Sequence, residues 1–298
     1  MNACLRNEIR RCRPLLGTFV EVAVKHDESD QAHTAINAAF VAVERVHNLM
    51  SFHDPQSEIS RLNSLATHRK ISVSFETYHV LKCAKELYER TQGIFDITVA
   101  SELVDNDLLP KHTFFKKEKD YYGRTNDIEL LPENFVRFLR PLKIDLGGIA
   151  KGFAVDQAID ALQVNGIADG FVNAGGDIRS FGEEEYPICV RHPKTPEKLL
   201  PLVSLKNSAF ATSANSYQHR LGRIGCVHID GRTRKFLPRP FSVSVRAQSC
   251  LMADALTKVV FALGEESASL LTEFDACAFI VWPDNKIMYF EGSGWNEK

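Results

Sequence analysis

Apolar and polar positions alternate through "GTFVEVAVKH", residues 17–26, the period-two pattern of a strand with one buried face. The period changes in "QAHTAINAAFVAVERVHNLM", where Ile36, Phe40, Val43, His47 and Met50 fall on one helical face. Helical spacing returns from about Glu76 to Thr91, with Ser74 as N-cap and Gly93 as the stop. "KKEKDYYGRTND", residues 116–127, has charge but no period and reads as a solvated loop. Strands are expected at "VRFLRPLKIDL", a helix after Gly148, and strand again in "GFVNAGGDIRSFG". A strand pair flanks "HIDGRTRKF", where Asp230-Gly231 is a turn signal. After "FSVSVRA" the spacing predicts a helix from about Met252 to Leu263, ended by Gly264. "AFIVW" and "IMYF", joined by "PDNK", close the chain as a hairpin. Strands and helices interleave with no repeat or low-complexity linker, which predicts one α+β domain of mixed or antiparallel sheets.

Composition narrows the function classes without choosing one. The 298 residues are 44% hydrophobic and 25% charged, with a formal net charge of −2. No charge excess or basic block argues for a nucleic-acid partner. The apolar runs are too short to span a bilayer, so no membrane insertion is expected. "MNACLRNEIRRCRPLLGTFVEVAV" is basic but lacks a continuous apolar core, so no secretory signal is expected and the location is cytoplasmic. The seven cysteines include no C-x-x-C pair and read as reduced thiols, several in apolar strands such as "YPICVRH" and "RIGCVHI".

Candidate chemistry concentrates in a few short segments. In "LGGIAKGF", Gly147 and Gly152 have the spacing of a phosphate loop, but Phe153-Ala154 stands where Lys-Ser/Thr is required. G-x-G-x-x-G fails as well. What remains is a glycine-rich helix entrance with free backbone N–H groups and Lys151, open either to an anion or to a plain strand-to-helix turn. In "NAGGDIRSFG", Gly175-Gly176 permits positive φ or a close approach, between Asn173 and Asp177. "SFHDPQSEISRLN" holds a turn at His53-Asp54 and a capping pattern from Ser57 to Ser60. His228 precedes the turn acid of "VHIDG", and Asp254 opens the helix in "MADALTK", where a cap is the simple explanation.

Taken together and in order, "LLGTFVEV", "SFHDPQSEISRLN", "GIFDITV", "IDLGGIAKGFAVD", "NAGGDIRSFG", "ATSANSY", "HIDGRT" and "SVSVRAQSCLMADAL" resemble the ApbE family of FAD:protein FMN transferases. The resemblance covers an ApbE-like domain over residues 14–298, preceded by an extension over residues 1–13. It implies a magnesium-dependent enzyme that splits FAD, attaches FMN to a threonine or serine hydroxyl of an acceptor flavoprotein, and releases AMP. His228 matches the catalytic histidine and would be the general base, with an ordinary pKa near 6.5 suited to the task. Lys151 and Asp254 join it as catalytic residues. The resemblance places FAD on Gly147, Gly148, Ala150 and Lys151, on Asn173, Gly175, Gly176 and Asp177, and on His228 and Ile229. Magnesium would be held by the Ala150 carbonyl, the Asp254 carboxylate and Thr257, hard oxygen donors of the right kind.

The chain departs from the family pattern in three places. Where the family has a threonine four residues after the aspartate, this chain has Lys258, with Thr257 one position earlier. Both lie near the aspartate's helical face. "HIDGRTRK" lacks the proline and closing glycine of the family turn. Neither a signal nor a lipobox accompanies Cys4, so the acceptor is expected in the cytoplasm. Two further functions compete with transfer: an FAD diphosphatase using water, and a non-enzymatic FAD-binding protein.

Overall fold

The computed structural model describes residues 8–113, 121–215 and 227–290. Cys4, Cys226 with the strand expected around it, residues 116–120 of the charged loop, and the end of "ATSANSY" lie outside the described residues. The first strand, β1 (Glu8–Leu15), pairs antiparallel with β2 (Thr18–Lys25) along its full length, Glu8 opposite Lys25 and Leu15 opposite Thr18. The domain boundary expected at residue 14 therefore falls inside a strand.

That hairpin is one edge of an eight-stranded sheet. Beyond it run β6 (Gly170–Ala174), β7 (Asp177–Phe181), β10 (Ala209–Ala214), β13 (Ser242–Ala247), β14 (Cys277–Val281) and β15 (Ile287–Phe290). Each pair of neighbours is antiparallel. Three helices cover one face: α1 (Ser29–Met50), α5 (Ala150–Val164) and α6 (Cys250–Leu263). Helix α1 buries Ile36, Phe40, Val43 and Met50 as its spacing predicts, while His47 sits half-exposed at the edge of that face.

The other face of the sheet is buried at its far end by the hairpin of β8 (Tyr186–Arg191) and β9 (Leu199–Leu205). Alternation along β14 explains why every residue of "CAFIV" is buried: Ala278 and Ile280 face the helices, whereas Cys277, Phe279 and Val281 face the hairpin. A three-stranded sheet, β3 (Ile71–Ser72), β5 (Phe135–Phe138) and β4 (Ile128–Leu131), packs with α2 (Glu58–Leu65) and α3 (Phe75–Arg90). Ser57 and Ser74 cap these helices through Ser60 N–H and Thr77 N–H, as read from sequence.

One expected strand is absent. "KIDL" pairs with no strand among the described residues. The Asn63 side-chain amide both donates to the Ile144 carbonyl and accepts from Ile144 N–H, and Asp145 N–H donates to the Ile97 carbonyl. A side chain does here what a ladder does elsewhere. The expected turn of "HIDGRTRKF" is present, bounded by the two-residue strands β11 (Ile229–Asp230) and β12 (Lys235–Phe236).

Candidate active site

A cavity of about 1090 Å³ opens where the β1–β2 turn, the β6–β7 turn, the entrance of α5 and the segment before β11 converge. It lies just above the roughly 300–1,000 Å³ typical of small-molecule sites, which suits a ligand of dinucleotide size. Gly147, Gly148 and Lys151 line it from the α5 side, and Asn173, Gly175 and Gly176 from the β6–β7 turn. His228, Ile229 and Lys258 complete the wall. Ala150, Asp177, Asp254 and Thr257 stand behind this lining, the last three almost wholly buried.

The β6–β7 turn closes with Gly175 and Gly176 both at positive φ, 66° and 106°, and the Gly176 N–H donates to Asn173 Oδ1. Glycine is required for this conformation, which leaves backbone facing the cavity. Helices α5 and α6 touch at Gly152. A Cβ there would lie 2.1 Å from the Cys250 carbonyl oxygen, so only glycine permits the crossing. The same crossing brings Lys151 of α5 beside Asp254 and Lys258 of α6.

Asp156, one turn further along α5, fixes that arrangement. Its carboxylate accepts from the N–H groups of Cys250 and Leu251, at 2.9 and 2.8 Å, and from Arg179 at 2.7 Å. It thus caps the first turn of α6 together with Ser249, whose hydroxyl accepts from Met252 N–H. The sequence reading assigned Asp156 no role. Its place in "KGFAVD" was visible, but the N–H groups it serves are 94 and 95 residues away.

Four charges meet at the crossing. The Lys151 ammonium pairs with Asp177, and the Lys258 ammonium pairs with Asp254 Oδ1 while also donating to the Asp254 carbonyl at 3.0 Å. Asp254 Oδ2 accepts from Gly152 N–H at 3.2 Å. Burial would lower the Lys151 pKa, but Asp177 and Asp254 together raise it above its ordinary value. Burial would likewise raise Asp254, yet Lys151 and Lys258 hold it below the usual carboxylate range. Asp177 is raised, by burial first and by the neighbouring Asp254 carboxylate second.

The helix entrance keeps only part of the expected set of free N–H groups. Gly147 N–H donates to Asp145 Oδ2, Ala150 N–H to the Leu146 carbonyl, and Gly152 N–H to Asp254. Positive charge toward the cavity comes from the two lysines, beside the N–H groups of Gly148 and Lys151, which have no acceptor among the described residues. His228 differs too. Burial first, and then Lys258, push its pKa from 6.5 down to about 3, so the ring is neutral at pH 7. It packs against Phe261 with ring centroids 4.1 Å apart. His53 and Asp54 form a turn, with Asp54 Oδ1 accepting from Gln56 N–H.

The ApbE family model matches residues 16–281. The chain belongs to the ApbE family. Among ApbE relatives, a FAD:protein FMN transferase of Vibrio cholerae is 28% identical over 249 residues, covering 78% of this chain and 74% of the relative. A FAD:protein FMN transferase of Treponema pallidum is 24% identical and covers 94% of this chain and 86% of its own. The crystal structure of an ApbE protein from Thermotoga maritima superposes with a TM-score of 0.79 at 26% identity, over 96% of this chain and 97% of that one. A Pseudomonas stutzeri flavinyl transferase shares the ApbE fold with a TM-score of 0.80 at 18% identity, over 98% and 97% of the two chains.

Proposed function

We propose that this ApbE chain transfers FMN from FAD to a serine or threonine hydroxyl of an acceptor flavoprotein, releasing AMP. The observation that carries the reading is the pair of ammonium groups, Lys151 and Lys258, facing a dinucleotide-sized cavity in a member of this family. The acceptor oxygen attacks the phosphorus on the flavin side of the diphosphate. A P–O bond forms there as the P–O bond to AMP breaks, and the bonding electrons leave on the AMP oxygen. The hydroxyl proton passes to the His228 imidazole and then to solvent. The two lysines offset charge on the bridging and leaving oxygens, the main demand of phosphoryl transfer.

His228 is fully in its proton-accepting form at pH 7, but as a weak base, because burial and Lys258 disfavour the imidazolium. A bound diphosphate opposes the field of Lys151 and Lys258 and so strengthens the base when substrate is present. Asn173 and the β6–β7 backbone offer the flavin nucleotide its polar contacts.

The magnesium implied by the resemblance would draw on Ala150, Asp254 and Thr257. Asp254 and Thr257 do not fit it as arranged. Asp254 holds the Lys258 ammonium, and the Thr257 hydroxyl donates to the Asp254 carbonyl at 2.6 Å and lies 2.8 Å from Ser213. A cytoplasmic acceptor belongs to the same reading, supported by free thiols at Cys12, Cys83, Cys189, Cys250 and Cys277. Among the described residues no helix is long and apolar enough to cross a membrane.

Incubation with FAD and a candidate acceptor, read by in-gel flavin fluorescence and AMP release, tests the proposal. Labelled acceptor with AMP is the expected result. AMP without label replaces transfer by hydrolysis, and FAD binding without AMP leaves a carrier. His228→Ala should lower transfer about 10²–10⁴-fold while FAD binding persists. Parental transfer by that variant removes His228 from the reaction.

A further inference from the structure

We propose that Lys258 is a resident cation of the diphosphate site, an ammonium standing on Asp254 where a divalent ion would otherwise bind. The inference rests on the flavin-transfer reading. Each oxygen of Asp254 already has a partner within the protein. Oδ1 and the backbone carbonyl hold the Lys258 ammonium, Oδ2 accepts from Gly152 N–H, and the carbonyl also receives the Thr257 hydroxyl. That hydroxyl lies 2.8 Å from Ser213, so Thr257 is drawn into a chain of protein hydrogen bonds. Among the described residues no three His, Cys, Asp or Glu side chains group to hold a metal ion.

The position of the ammonium is what a phosphate would use. Lys258 lines the cavity wall together with Lys151 and His228, whereas Asp254 and Asp177 sit behind it, fully buried. The two carboxylates thus orient the two ammoniums outward. The Lys258 stem passes over Gly148 at the α5 entrance, its Cε 3.5 Å from where a Cβ on that glycine would stand. An ammonium has three N–H donors. Two serve Asp254, and the third remains for a phosphate oxygen. Lysine is also the side chain closest to a compact, strongly hydrated point charge.

Asp254 is in this view the anchor of a cation carried by the chain itself. FAD binding then needs no added metal, and the diphosphate is clamped between two lysines from two helices.

Calorimetric titration of the full chain with FAD, in chelator and in excess magnesium, tests this directly. The parental protein should bind FAD with the same affinity in both. Lys258→Met, which keeps the stem and loses the charge, should bind FAD roughly 10- to 100-fold more weakly in chelator. Lys258→Thr should show the same loss in chelator and recover with magnesium. Magnesium titrated alone should give binding heat with Lys258→Thr and none with the parent. FAD affinity in the parent that appears only with magnesium overturns the resident cation and leaves flavin transfer standing. Unchanged affinity in Lys258→Met overturns it as well. Failure of the parent to bind FAD in either condition removes both readings. The parental comparison requires no variant to fold.

Discussion

Two clusters of buried charge flank the cavity, and they are built from the same materials to opposite ends. One is the crossing of α5 and α6, with Lys151, Asp177, Asp254 and Lys258. The other lies under "GIFDITV", where Asp96 is enclosed by Arg234, Arg124 and two threonines. Asp96 Oδ1 accepts from Thr98 N–H, the Thr98 hydroxyl and the Thr125 hydroxyl, at 2.9, 2.7 and 2.8 Å. Arg234 donates to the Thr98 carbonyl and hydroxyl and lies 3.6 Å from Glu102. These bonds tie the β11–β12 turn to residues 94–98, while Arg234 Nε and Asp96 Oδ2 are buried without a hydrogen bond among the described residues. At the helix crossing the carboxylates are the buried members and the ammoniums face the cavity. Carboxylates are the buried members of both clusters. What separates structure from function here is whether the cations line the cavity, as Lys151 and Lys258 do and the two arginines do not.

The largest test of that contrast removes a cation from the closed cluster. Arg234→Met leaves Asp96, whose side chain is fully buried, beside only the more distant Arg124. Stability should fall by about 3–5 kcal/mol, the usual consequence of stranding one member of a buried pair. Denaturant unfolding measures the loss. FAD affinity of the folded fraction should change little, and a large affinity loss at parental stability would abolish the distinction between the clusters.

Lys151→Ala makes the complementary change in the open cluster. A charge-assisted contact to the diphosphate contributes roughly 1.5–3 kcal/mol, so FAD should bind more weakly by that amount. Stability should suffer less than in Arg234→Met. Asp177 already has a raised pKa, so without its lysine it can take up a proton and shed its charge. Calorimetry and unfolding on the same variant give both numbers. Unchanged FAD affinity would show that the ammonium does not reach the ligand.

The Asp96 cluster could not be assembled by reading along the chain. The helices, the Ser57 and Ser74 caps and the β6–β7 turn are legible because caps, turns and amphipathic periods are local signals. The resemblance brought Lys151, Asn173, Gly176, His228 and Asp254 to one site, where the cavity and the helix crossing do gather them. Tertiary partners stayed hidden. Asp156 caps a helix far along the chain, and Asn63 replaces a strand partner for Ile144. Thr125, in the segment read as a solvated loop, is fully buried on Asp96. Lys258 was conspicuous as a departure, but whether it turns toward Asp254 or away is decided by the packing of α6 on α5. The lowered pKa of His228 is illegible in sequence for the same reason, since burial is not a property of its neighbours along the chain.

That histidine gives the smallest and sharpest comparison, because it senses the open cluster. Burial, followed by the Lys258 charge, lowers its folded pKa to about 3 from 6.5. Between those values the unfolded chain binds a proton that the folded chain refuses, so stability must rise with pH across this window. The contribution is fully present above about pH 6.5 and is lost progressively as pH falls toward 3. From pH 7 to pH 5 the loss attributable to His228 is about 2 kcal/mol. Carboxylates titrate nearby, so the measurement is a difference: unfolding free energies of the parent and of His228→Asn at both pH values. The parent should lose about 2 kcal/mol more than the variant. Lys258→Met should shrink that excess, because it removes the second cause of the shift and leaves burial and Lys151 opposed by the Asp254 carboxylate. Equal losses in parent and His228→Asn would mean that the imidazole titrates normally, and the positive field assigned to the cavity-facing lysines would go with it.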